Sequence, residues 1–386
     1  MRPASAFWLS ALCLCAATAG AANVSTLPPQ ATNSGLSRAP QRTFVTPAAP
    51  AGAVAPGALP GSSLAPLPLP QHLSTFNIVI APDPVLAANL PALAAFNRAA
   101  NQWKAFISDP ITVTVDASLA LLGANILGST SPVMLQSGYN TVRNQLIADA
   151  DSDDAILSSL PTAAGFQAVL PAGRTLTGNT LASKANLKAA GFPNLDLFGP
   201  SDGSITFSST FPFDFDRSDG ITAGQFDFET IAAHEIGHLL GFFSAVDDID
   251  SGVTDVQPSI LDLMRFPNAA GSKPTNAAEF ATFQRSMVPG NDEITSDVAN
   301  EYRMSTGVNG GDGKRASNWK ANELTGTYIG IMDPTFAAGE IGPITAADRR
   351  AMDLIGYDVV VPEPASLSTV SLAGFGILSR RRRRTV

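Results

Sequence analysis

The stretch Phe76-Asn77-Ile78-Val79-Ile80 has the two-residue alternation of a strand. Beyond Pro91 the period changes. Leu93, Phe96, Ala100, Trp103 and Ile107 recur at three- and four-residue intervals, which predicts an amphipathic helix with Pro91 near its first turn and Pro110 past its end. Ile111-Thr112-Val113-Thr114-Val115 and Ile205-Thr206-Phe207-Ser208-Ser209 return to alternation and predict two more strands. With no internal repeat, this strand, helix, strand opening predicts an α/β (α+β) fold, a twisted mixed sheet packed on helices.

The two ends follow other patterns. Met1 and Arg2 precede an apolar run from Ala6 to Ala17, closed by Ala19-Gly20-Ala21, the layout of a secretory signal peptide over residues 1–21. Cys13 and Cys15 both fall inside it, so the exported chain is expected to hold no disulfide. Residues 22–72 are rich in Pro, Ala, Ser and Gly, with ten of the 29 prolines between Pro28 and Pro70. Such a composition buries too little apolar surface to offset its ordering entropy and reads as a disordered or polyproline-like linker. A propeptide is the functional alternative, without a cysteine switch because no cysteine is present there. His72 ends this stretch as a surface histidine. The segment 73–360, roughly 285 residues, is long enough for one large domain.

The chain of 386 residues carries a net charge of −9. Removing Arg2 and the C-terminal run Arg380 to Arg384 leaves 18 basic against 33 acidic residues, so the exported protein is nearer −15. That balance suits solubility and cation binding, and it excludes nucleic acid as a partner because counterion release needs a cationic surplus.

Only three histidines are present, and two fall in His234-Glu235-Ile236-Gly237-His238-Leu239-Leu240-Gly241. Asp227 can cap a helix starting at Phe228, and Gly241 can end it. On that helix His234 and His238 project from one face, one turn apart, and can share a metal ion, with Zn2+ suited to two imidazoles. Glu235, beside the first ligand, is placed to act as general base on a water activated by the metal. No third histidine lies downstream. Past the glycine turn, the carboxylates of Asp247 and Asp248 are the nearest acidic groups able to complete the set.

The helix motif resembles that of the zincin metallopeptidases, and the glycine after the second histidine resembles the metzincin branch. In that branch a third ligand stands where this chain has Ser244, a poor zinc ligand. Gly330-Ile331-Met332-Asp333-Pro334 is similar to a metzincin Met-turn, which implies that Met332 floors the metal site. Gly310 to Lys320 resembles the segment of leishmanolysin-type enzymes and of PEP-CTERM-tagged metalloproteases that supplies a distant third histidine; here Asn318 occupies that position. The resemblance thus implies a metzincin-like catalytic domain over 73–360 and a zinc endopeptidase acting on protein or peptide. Asn318 is the occupant of the third-ligand position, with Asp247 as the stronger chemical substitute. Leu261-Asp262-Leu263-Met264-Arg265-Phe266, and Ile344-Thr345-Ala346-Ala347-Asp348 leading to Ile355-Gly356-Tyr357-Asp358, are similar to the same group without a mechanism attached.

Val361-Pro362-Glu363-Pro364, an apolar stretch from Ala365 to Leu378 and Arg380 to Arg384 resemble a PEP-CTERM sorting signal over 361–386. This implies an exosortase-type enzyme at the inner membrane as partner. It also implies transient membrane anchoring, then the cell surface or extracellular matrix of a Gram-negative bacterium. The rival function is a non-catalytic surface or biofilm-matrix protein on a degenerate zincin scaffold. Asp214, Asp216 and Asp219 before Gly220 have the spacing of a small Ca2+ loop; Asp149, Asp151, Asp153 and Asp154 repeat it without the glycine. Neither has the downstream glutamate of an EF-hand, so solvated loop acids are the simpler reading of both.

Overall fold

The structure is a computed structural model that describes residues 22–28, 35–50 and 75–360. The expected leader, His72 and the expected sorting tail lie outside the described residues. No helix among the described residues is long and apolar enough to cross a membrane.

The chain folds as a mixed α/β structure of the α+β kind, with several sheets and helices around one main apolar core. Three short strands come from the stretch expected to be a linker: β1 (Asn23–Thr26), β2 (Ser37–Arg38) and β3 (Phe44–Pro47). β4 (Asn77–Pro82) follows, then α1 (Pro84–Ala88) and α2 (Leu90–Lys104). β5 (Thr112–Ala120) and β6 (Ile126–Pro132) come next. The main sheet runs β3, β6, Gly203–Ser208, β5, β4. β4, β5 and Gly203–Ser208 are parallel, β6 runs against them, and β3 runs against β6 at the edge.

The predicted strands and helix all form. Asn89 caps α2 through the Ala92 N–H, Pro91 sits in the first turn where no intrahelical donor is needed, and Ala92, Phe96, Ala100 and Trp103 are buried. Ile107 lies past the helix end, in a bridge to Val359. The Trp103 indole N–H donates to the Ala233 carbonyl at 2.9 Å, locking α2 to the helix Phe228–Leu240. Phe96 meets Phe207 edge-on at 5.0 Å and Phe207 meets Phe228 at 4.5 Å, joining sheet to helices.

The linker expectation is corrected for the described part of residues 22–72. β1 pairs with Gln167–Leu170, β2 with Met134–Gly138 and β3 with β6. Composition averaged over the whole stretch hid the alternation within it. In Phe-Val-Thr-Pro the first and third side chains are buried, and the proline falls at the end of an edge strand, where no ladder donor is required.

Acidic groups gather where the C-terminal end of the domain returns. Asp109 accepts the Asp358 N–H at 2.9 Å. Burial, with the Asp358 charge adding to it, pushes the Asp109 carboxyl up to about 7; burial does the same for Asp149 and for Asp353. The unfolded chain releases these protons near pH 4. Between pH 4 and 7 the folded state therefore binds more protons, and stability present at pH 4 is lost as pH rises through 7. Asp109→Asn is expected to stabilise the protein at pH 8 by on the order of 2 kcal/mol and to flatten this slope. Urea unfolding at pH 5 and pH 8 checks both.

Candidate metal centre

The helix Phe228–Leu240 starts where expected: the Asp227 carboxylate accepts the Thr230 N–H at 3.1 Å and is paired with Arg217 at 2.8 Å. It ends at Gly241, whose φ of +121° belongs to the region glycine favours, and where a Cβ would come within 2.9 Å of Asn186. Every residue of this helix is buried, the two histidines and the glutamate included.

His234 and His238 face each other one turn apart, with ring centroids 4.7 Å apart. His234 Nδ1 lies 2.8 Å from the Ile331 carbonyl oxygen and His238 Nδ1 lies 2.8 Å from that of Phe242. A carbonyl can only accept, so each Nδ1 carries the proton and each Nε2 is left with a lone pair. Burial lowers both imidazoles, His234 to about 4 and His238 well below its usual value, so both are neutral at physiological pH. Both Nε2 atoms are buried without a hydrogen-bond partner. Two neutral, oriented, unpaired imidazole nitrogens on one helix face are donors of the kind that could hold a borderline metal such as zinc.

The other sequence-predicted residues are drawn toward this helix from two loops. Met332 comes under it: a Cβ on Gly237 would lie 2.3 Å from Met332 Sδ. Gly237→Ala is therefore expected to cost about 1–3 kcal/mol by overpacking, read by urea unfolding. The Trp319 N–H donates to the Met332 carbonyl at 2.9 Å and its ring meets Phe242 at 4.7 Å, which packs the residue after Asn318 against the Met332 turn and the end of the helix. Asn318 is buried. Its Nδ2 donates to the Arg315 carbonyl at 3.3 Å, which leaves Oδ1 buried and unpaired. His234 Nε2, His238 Nε2 and Asn318 Oδ1 thus share one condition.

Asp247 is put to a different use from the one expected. Its Oδ1 accepts the Ala316 N–H at 2.7 Å and its Oδ2 the Ser317 N–H at 3.2 Å, so the carboxylate clasps the loop that carries Asn318. Asp247 forms no metal-sharing cluster with the two histidines among the described residues. Asp248 pairs with Arg42. The Ser244 hydroxyl donates to Asp262, and its N–H donates to Ser317 Oγ at 2.9 Å.

Two segments without a mechanism in the sequence now have one. Asp262 also accepts the Ala245 and Ser259 N–H groups, each at 2.8 Å, and fixes the turn after the histidine helix. Arg265, fully buried and paired with Glu293, donates to the carbonyls of Ala316 and Ser305, on the Asn318 loop and just past the strand Glu301–Arg303. Asp348 accepts the Ile331 N–H, the Trp319 indole N–H and the Thr345 N–H at 2.7 to 2.8 Å. One buried carboxylate therefore holds the Met332 turn, the Trp319 ring and the cap of the helix Ala346–Leu354 together. A Cβ on Gly330 would lie 2.2 Å from Asp348, which requires glycine there. The sequence signal available for these residues was their segment resemblance alone.

Glu235 is in place, but both its oxygens are occupied. Oε1 accepts the Thr46 hydroxyl at 2.7 Å and Oε2 the Thr130 hydroxyl at 2.6 Å. Burial pushes its carboxyl up to about 7, with the two hydroxyls and the charge of Arg315 opposing. The charge of Arg315 also bears on His238 and Asp247.

The acidic loops separate. Asp214 accepts the Asp216 and Thr222 N–H groups and Asp216 that of Ser218, so the loop with the spacing of a Ca2+ site uses these carboxylates on its own backbone. Asp151, Asp153 and Asp154 bring one ligand atom each within 4.8 Å of one another. Compared with known protein families, curated proteins and solved structures, the chain matches none.

Proposed function

We propose that this chain is an exported zinc-dependent endopeptidase of the metzincin-like class, tagged for sorting to the cell surface or matrix by an exosortase-type enzyme. The observation that carries this reading is the set of three buried, unpaired atoms, His234 Nε2, His238 Nε2 and Asn318 Oδ1, on a helix and loop braced from behind. Leaving three polar atoms buried and unpaired costs on the order of 1–3 kcal/mol each, a cost that a cation bound within reach of them would offset.

In this reading His234 and His238 hold the metal, Asn318 completes the protein ligands, and Met332 floors the site. Zinc, when bound, would polarise a peptide carbonyl and acidify water. Glu235, once free of the Thr46 hydroxyl, accepts the water proton and returns it to the leaving amine. Arg315 is positioned to favour negative charge developing near His238.

The purified full-length chain is expected to hold one zinc per molecule and to lose it in His238→Ala, by elemental analysis after dialysis. Retention of zinc in that variant overturns the site. A second reading is favoured by the neutral amide of Asn318 in place of an imidazole: a non-catalytic surface or biofilm-matrix protein on a zincin-like scaffold. It predicts well under one zinc per chain and no hydrolysis of unfolded protein at any zinc concentration.

A further inference from the structure

A short strand closes the metal centre from the outside, and it belongs to the chain itself. β3 lies antiparallel on β6, with Phe44 opposite Thr130, Val45 opposite Ser129 and Thr46 opposite Gly128. The register then shifts. The Ala48 N–H donates to the Asn125 carbonyl at 2.8 Å and the Ala49 N–H to the Phe336 carbonyl at 2.8 Å. Residues 44–49 therefore run from the sheet edge to Phe336, just past the Met332 turn. They cover the face of the helix that bears the two histidines.

Each inward side chain meets a group of the centre. The Phe44 ring stacks on His238, centroids 4.8 Å apart and 17° from parallel. The Thr46 hydroxyl donates to Glu235 at 2.7 Å. Phe336, held by the same segment, meets the His234 ring edge-on at 5.6 Å. The result is that His234, Glu235 and His238 are each 0% exposed, which leaves no route for a peptide to reach them. β3 itself is four residues long and sits at a sheet edge, and a short edge strand leaves its neighbour at lower cost than a central one, while β2 and the Arg42–Asp248 pair anchor the chain just before it. Beneath it, β6 offers an antiparallel edge with free ladder positions for an extended peptide once β3 departs.

We propose that residues 44–49 are a built-in, substrate-like strand that occupies the peptide-docking edge of β6 and holds the centre shut until it is displaced. What it blocks is named by the peptidase reading above; that it blocks the histidines stands on the geometry alone. The occupant is in the chain, and the competing occupant is an extended peptide lying in the same direction along β6. Thr46 would also hold the proton acceptor of Glu235 engaged while the strand is seated.

Full-length chain, with Cys13 and Cys15 changed to serine throughout, provides the test. Val45→Cys/Ser129→Cys places a disulfide between residues paired across β3 and β6 and tethers the strand; Phe44→Ala/Thr46→Val loosens it. The first readout, taken without metal, is the rate at which diethyl pyrocarbonate modifies His234 and His238, by peptide mass. The second is hydrolysis of casein with zinc present. The loosened form is expected to react at least tenfold faster than the oxidised tethered form, and reduction should return the tethered form to the parent rate. Equal histidine rates in loosened, oxidised and reduced forms would overturn the proposal and make β3 a permanent wall. The tethered variant only adds a bond in the closed arrangement, so the test survives if the loosened one misfolds. Histidines that respond as expected in a chain that never cuts casein support the strand and sink the peptidase reading.

Discussion

Glu235→Gln is expected to lower hydrolysis of an unfolded protein by about 10²–10⁴-fold while leaving zinc content at the parent value. The size follows from chemistry: an amide of the same shape cannot take a proton from water, so the step is left to bulk solvent. The fold should tolerate the change, because a glutamine presents one acceptor and one donor to the Thr46 and Thr130 hydroxyls, which can each rotate to match. Zinc should be retained because Glu235 makes no contribution to the donor set formed by the two Nε2 atoms. The measurement pairs casein hydrolysis with elemental analysis on the same preparation. Unchanged hydrolysis with zinc bound would remove Glu235 as the base.

The helix that carries His234, Glu235 and His238 was legible in the sequence because its information is local. Asp227, His234, Glu235, His238 and Gly241 act within one helix, and a period of 3.6 suffices to place them on one face. The strands β4, β5 and Gly203–Ser208 were legible for the same reason, each carrying its own alternation. What was not legible is the partnership between distant segments. Nothing in the sequence joins Asp348 to Trp319 and Ile331, or Asp262 to the turn at Ser244, since a buried carboxylate advertises none of its partners. The carbonyls of Ile331 and Phe242, which set the histidine tautomers, carry no side-chain signal at all. β3 was missed because four residues with one proline vanish in the average of a proline-rich stretch, although Phe44 and Thr46 alternate as a strand should.

The third ligand is where sequence chemistry and structure part, and it yields the second large expected effect. Carboxylate chemistry favoured Asp247 over the neutral amide of Asn318. The structure opposes that ranking, because both Asp247 oxygens are already engaged by the Ala316 and Ser317 N–H groups, whereas Asn318 Oδ1 has no donor. Asn318→His is expected to tighten zinc by at least tenfold, about 1.4 kcal/mol, since imidazole is a stronger donor to zinc than an amide oxygen. Asn318→Ala should weaken zinc by a similar factor. Asp247→Asn keeps an acceptor for one backbone N–H and loses the other, so it should loosen the loop and weaken zinc by less than Asn318→Ala does. The order of the two losses decides the assignment. If Asp247→Asn costs more affinity than Asn318→Ala in a competition titration against a zinc chelator, the carboxylate is the ligand. The opposite order makes Asp247 a positioning residue, whose effect reaches the metal only through the loop it clasps.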